Sequence, residues 1–169
     1  IEQVFDSFTN NVRSSVLEAF IPYGNRLPEQ ELAKVESAVS PNDLMNTALR
    51  LVEKYFPEEK VFVIIDEYDH FTNEIIAFNF NNFREIVSQN GFVRKFYEVL
   101  KKGTQTGVID RMFVTGVSPV TLDSLTSGFN IGANLSLDLD LHDLMGFTEA
   151  DTAGILRSAD VPDDQLDTV

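Results

Sequence analysis

The 169-residue chain has no cysteine. That excludes disulfides, a thiolate zinc site and a cysteine nucleophile, and it fits a reducing compartment. Positive charge is scarce: 13 Lys and Arg stand against 27 Asp and Glu, for a net charge of −14. This balance opposes non-specific binding to nucleic-acid phosphates, so no direct nucleic-acid binding is expected. An acidic, well-solvated surface accounts for the charge without an acidic-site partner. No apolar run approaches the roughly 20 residues that cross a bilayer. The opening residues Ile1-Glu2-Gln3-Val4 lack the basic-then-apolar order of a signal peptide. No membrane role is expected, and a cytoplasmic location is. The absence of an initiating Met points to a fragment or a processed chain. With 43% hydrophobic residues and a mean hydropathy of −0.07, the composition is that of a soluble globular protein with enough length for one sizeable core.

One stretch organises the rest. Val61-Phe62-Val63-Ile64-Ile65 is continuously apolar and β-branched or aromatic, and it runs straight into Asp66-Glu67. Such a run predicts a strand buried on both faces, the kind found in parallel sheets with helices above and below. The expected fold is therefore three-layer α/β with a largely parallel sheet. Ligands in these folds bind outside the carboxyl ends of the strands, where Asp66 and Glu67 stand.

In chain order, Val4, Phe5, Phe8, Val12, Val16 and Phe20 recur at helical spacing over 3–20. Pro22, Gly24 and Pro28 break the chain, and 22–42 reads as a polar connector with a short helix at 29–38. Asn42 is the expected cap of a helix over 43–56 that Pro57 ends. After the first strand, the Asn- and Phe-rich residues 70–90 read as a loop and a helix at about 82–89. A helix over 92–102 follows, with Lys101 and Lys102 in its last turn, then a loop at 103–107. A second strand over 109–115 ends in Thr115. Residues 116–134 are rich in turn-formers and read as a long loop. The alternating Leu135-Ser136-Leu137-Asp138-Leu139 predicts a third, more exposed strand. Thr148 and Asp151 form a near capping box before a helix over 149–158, and the acidic tail 160–169 is expected to fray. No internal repeat appears.

An apolar strand ending in Asp-Glu has the Walker B pattern of P-loop NTPases. The first carboxylate serves Mg²⁺, a hard cation that takes oxygen ligands. The second orients the water that attacks a γ-phosphate. Strands of many α/β proteins end in a carboxylate that only caps a helix or solvates a turn, so the motif gains weight from its surroundings. Val63-Ile64-Ile65-Asp66-Glu67-Tyr68-Asp69 is followed by Arg111-Met112-Phe113-Val114-Thr115-Gly116-Val117-Ser118, then Ser127-Gly128-Phe129-Asn130, then Gly146-Phe147-Thr148-Glu149-Ala150-Asp151. In this order the segments resemble the AAA-ATPase-like family, whose P-loop module is often joined to a C-terminal nuclease-like domain of the PD-(D/E)XK type. They correspond to roughly the second half of that module. The resemblance implies that Asp66 is the magnesium-site acid, Glu67 the catalytic acid and Thr115 the sensor. It also implies a partial P-loop α/β domain over 1–145 and the start of a helical lid over 146–169.

The 169 residues contain no G-x-x-x-x-G-K-[ST]. Gly24-Asn25-Arg26, the nearest Gly-plus-basic site, is not a phosphate loop. The resemblance implies that the amides and lysine that cradle phosphates lie in a missing N-terminal Walker A segment. Mg²⁺ and ATP are the cofactors implied for the full-length protein, with none held tightly by this chain alone, which is expected to be inactive by itself. Homo-oligomerisation is a further partner expectation. Two other readings stay open: a non-catalytic interaction domain with a degenerate P-loop fold, and a carboxylate-metal nuclease using Asp66, Glu67 and Asp69. For the last, His70 and Phe71 stand where the nuclease motif needs lysine. His142 sits in an acidic stretch and reads as a surface ion-pair partner. Arg84, Arg94 and Arg111 are each weighed as an arginine finger against plain surface pairing. Ser118, Ser124 and Ser127 have no His and Asp pattern of a hydrolase nucleophile. The Phe-rich 71–83 reads as core packing, with an exposed interface as the alternative.

Overall fold

The computed structural model describes residues 2–68, 91–117, 132–136, 138–141, 146–159 and 161–162. The chain divides into two units, Ile1–Gly132 and Ala133–Val169.

In the first unit the order is α1 (Glu2–Phe20), a 3₁₀ turn (Ile21–Arg26), α2 (Glu29–Glu36), α3 (Pro41–Tyr55), β1 (Val61–Ile65), α4 (Phe92–Thr106) and β2 (Ile109–Val114). It is a mixed α/β unit, mostly helical, with a two-stranded parallel sheet among the described residues. The periodic apolar residues of α1 do what their spacing requires: Phe8 lies against Phe92 and Phe96, at centroid distances of 5.8 and 5.3 Å. Helix α3 starts two residues earlier than expected. Ser40, not Asn42, is the N-cap; its hydroxyl oxygen accepts the Asp43 N–H at 3.2 Å. Pro41 follows at the first helical position, where its fixed φ and missing N–H suit a helix start.

Helix α3 joins two apolar clusters. Met45 and Leu49 pack with Phe96, Tyr97, Leu100 and Ile109. Leu44, Ala48 and Leu51 pack with Phe20, Val35 and Phe56. Leu44 and Leu100 are fully buried, and each such leucine contributes about 1.5–3 kcal/mol relative to exposure.

Two expectations fail here for identifiable reasons. Helix α4 does not stop at residue 102 but continues through Gly103 to Thr106, so Lys101 and Lys102 are not in its last turn. A β-carbon on Gly103 would fall 2.6 Å from Ile109 Cδ1 and 2.9 Å from Leu49 Cδ1. The glycine is there to let α4 approach β2 and α3, and Gly107, at φ 75°, is the residue that ends the helix. Strand β1, expected to be buried on both faces, has only one face covered. Val61, Val63 and Ile65 pack on the first cluster, while Phe62 and Ile64 are 58% and 67% exposed. Among the described residues, the helices that meet the sheet lie on the first of these faces.

The second unit contains a 3₁₀ turn (Leu139–Leu141) and α5 (Glu149–Ser158). No strand forms at residues 135, 136, 138 and 139. The Asn134 and Asp138 side chains each accept the backbone N–H two residues on, at 3.0 Å. Such local bonds replace a ladder with turns despite the apolar–polar alternation. The capping box before α5 is complete: Thr148 Oγ1 accepts from Asp151 N, and Asp151 Oδ2 accepts from Thr148 N. The expected helix at 82–89, the Phe-rich 71–83, most of the 116–134 loop and most of the acidic tail lie outside the described residues.

Candidate functional site

Parallel pairing brings the carboxyl ends of β1 and β2 side by side, with Ile65 opposite Val114. The pairing runs one step beyond both strands, since Thr115 N–H donates to the Ile65 carbonyl at 2.9 Å. The chain of β1 then turns back: Tyr68 N–H donates to the Thr115 carbonyl, also at 2.9 Å. Between these two bonds stand Asp66 and Glu67.

The side chain of Thr115 sits at the centre of this arrangement. Its hydroxyl donates to Asp66 Oδ1. Its oxygen also accepts the Glu67 N–H at 3.3 Å, and the same N–H lies 3.0 Å from Asp66 Oδ1. Asp66 is thereby held through one oxygen by its neighbour's amide and by a residue 49 positions away. Among the described residues, no hydrogen bond is made by Asp66 Oδ2.

Glu67 has a φ of 49°. For a side chain with a β-carbon, left-handed backbone costs about 1–2 kcal/mol. Tyr68 follows with its side chain buried, at 9% exposure. Tyr97 lies close by; burial pushes its phenol well above the usual range, and Tyr68 adds to the shift. A cavity of about 770 Å³ opens along β1, bounded by α1 residues such as Ser7, Asn11 and Ser15, and reaches Asp66, Glu67 and Tyr68. Its size is that of a small-molecule pocket.

Asp66, Glu67 and Thr115, identified from sequence, thus come together. Among the arginines weighed as fingers, Arg94 pairs with Glu98 on its own helix at 3.2 Å, and Arg111 pairs with its neighbour Asp110 at 3.4 Å. Arg84, Asp69, His70, His142, Ser118, Ser124 and Ser127 lie outside the described residues. Tyr68 and the left-handed Glu67 went unrecognised in the sequence. A single aromatic after a strand has no periodicity to mark it as buried, and glutamate is not a residue that favours positive φ.

Among the described residues, no three His, Asp or Glu side chains gather into a cation cage. The donor set does fit Mg²⁺ in its usual mode, in which one or two carboxylates share the ion with waters and substrate phosphates. Asp66 Oδ2 is the oxygen available for it.

A family model described as a predicted AAA-ATPase matches residues 2–126. The chain belongs to the AAA-ATPase-like family. The matched span of this AAA-ATPase-like chain includes Asp66, Glu67 and Thr115 and ends before the Gly146–Asp151 stretch. No curated protein and no solved structure matches the chain. No helix among the described residues is long and apolar enough to cross a membrane.

Proposed function

We propose that this AAA-ATPase-like chain supplies the magnesium and water side of an ATP-hydrolysing site, in a P-loop fold of three-layer type. The observation that carries this reading is the hydrogen-bonded group of Asp66, Glu67 and Thr115 at the joined ends of two parallel strands. Asp66 is the Walker B acid and would hold Mg²⁺ through Oδ2. When bound, the ion would offset charge on the β- and γ-phosphates. Glu67, exposed at the strand end, accepts a hydrogen bond from the attacking water and aligns it. Thr115, in the sensor position, holds Asp66 and the Glu67 amide in register. The stretch 146–169 is the start of a helical lid.

The phosphates themselves need the backbone amides and lysine of a glycine-rich loop ending in Lys-Ser or Lys-Thr, a motif that the sequence does not contain. The proposal assigns them to a Walker A segment elsewhere in the polypeptide, and assigns the output of hydrolysis to conformational change acting on further subunits or a nuclease-like domain. Reading the encoded polypeptide upstream of Ile1 for such a loop tests this; its absence from the full protein would sink the ATPase reading. That outcome would favour the second reading, a non-catalytic interaction domain. The exposed Phe62, Ile64 and Phe113 on the sheet support that alternative.

A further inference from the structure

Among the described residues, Glu67 is the only non-glycine residue at positive φ. Glutamate does not favour left-handed backbone; Asn and Asp are the side chains that tolerate it. The conformation must therefore be imposed by contacts around it, and such outliers are kept where the surroundings over-determine them. On the N-terminal side, the Glu67 N–H is met by Asp66 and Thr115. On the C-terminal side stands Tyr68, with its N–H on the Thr115 carbonyl at 2.9 Å and its side chain buried. The backbone enters Glu67 from a paired strand and leaves it into a residue anchored in the interior. Two residues separate the Ile65 and Tyr68 bonds to Thr115, which leaves a sharp turn as the route between them.

We infer that Tyr68 is the positioning residue for Glu67: its buried ring, fixed beside the main-chain bond from its N–H to the Thr115 carbonyl, forces the left-handed turn that keeps Glu67 next to Asp66. The value of this to catalysis rests on the reading of Glu67 as the water-orienting acid, whereas the turn itself does not.

The test is NMR on the full isotope-labelled chain, with Mn²⁺ alone as the metal probe. In wild type and Tyr68→Phe, the Glu67 HN–Hα coupling and Cα and Cβ shifts report left-handed backbone. In Tyr68→Ala this signature is lost, while the amide shifts of Leu100 and Ile109 stay put. Mn²⁺ broadens the Asp66 and Glu67 signals in wild type and in Tyr68→Phe. In Tyr68→Ala the broadening at Asp66 persists, because Thr115 still holds that carboxylate, while the broadening at Glu67 weakens as the turn no longer keeps it beside Asp66. If Tyr68→Ala fails to fold, Tyr68→Leu, which keeps apolar bulk, shows the same loss of the left-handed signature. Retention of that signature in a folded Ala or Leu variant overturns the inference, as does its loss in Tyr68→Phe. Released turns with no Mn²⁺ broadening in wild type would uphold the positioning role and fail the metal reading. Mn²⁺ broadening with an intact turn in Tyr68→Ala would do the reverse.

Discussion

The hydroxyl of Thr115 donates to the carboxylate of Asp66, tying the end of β2 to the end of β1. The same oxygen accepts the amide of Glu67. One side-chain oxygen therefore orders both acids, and its removal should be felt at both.

Thr115→Val keeps the shape and deletes that oxygen. It should cost about 1 kcal/mol in urea unfolding, the scale of one hydrogen bond. Hydrogen exchange at the Glu67 amide should quicken in parallel. Unchanged stability together with unchanged exchange would show that the Thr115 link is not made in solution.

The positive φ of Glu67 makes a paired prediction. Glu67→Gly should leave stability within about 1 kcal/mol of wild type or raise it, because glycine adopts this backbone without strain. Glu67→Val should lose about 1–2 kcal/mol, since a β-branched side chain tolerates left-handed backbone poorly. Chemical denaturation of the two variants checks the difference, and equal stabilities would contradict it.

Gly103 is the close-packing point between α4, α3 and β2. Gly103→Val should destabilise the first unit by about 1–3 kcal/mol, the cost of overpacking, even though glycine is itself poor inside a helix. Thermal unfolding is the measurement.

Much of this was legible in sequence, and the failures share a cause. Local pattern located α1, α3, α5 and both strands, and the Thr148–Asp151 box, because spacing and capping are local properties. The acids and Thr115 were legible because both strands end in polar residues. What local pattern cannot reveal is which faces neighbours will cover. Hence β1 read as buried twice, yet Phe62 and Ile64 are exposed. Gly103 read as a helix stop, yet packing against Ile109 and Leu49 keeps the helix going. The alternation at 135–139 read as a strand, yet Asn134 and Asp138 bond their own backbone. The burial of Tyr68 is a tertiary property, which no spacing rule detects.

Glu31 joins α2 to α3: its carboxylate accepts from Lys34 at 2.6 Å, Lys54 at 3.0 Å and the Tyr55 hydroxyl at 3.1 Å. Led by the Lys34 bond and then the Lys54 bond, these partners hold its pKa down from the ordinary 4.5 to about 2. A depressed folded-state value stabilises above the unfolded value and is lost as pH falls through the folded one. Wild type should therefore exceed Glu31→Gln in stability most clearly above pH 4.5, and the gap should close as pH falls from 4.5 to about 2. A gap independent of pH across that window would contradict the assignment. Because the lysines are exposed to solvent, added salt should narrow the gap as well.

This chain alone should show no ATP turnover above background with Mg²⁺, because its sequence contains no glycine-rich phosphate loop ending in Lys-Ser or Lys-Thr. Turnover that disappears in Asp66→Asn would overturn that expectation and place a complete site within these residues.

The central claim is that Asp66 and Glu67 are the magnesium and water acids of an ATPase. Its most direct test is single-turnover ATP hydrolysis, with Mg²⁺, by the encoded polypeptide that joins these residues to a glycine-rich phosphate loop, comparing wild type with Glu67→Gln. The expected result is retained ATP binding with hydrolysis slowed about 10²-fold or more, as loss of a positioned acid–base group entails. Hydrolysis by Glu67→Gln at the wild-type rate would contradict the account.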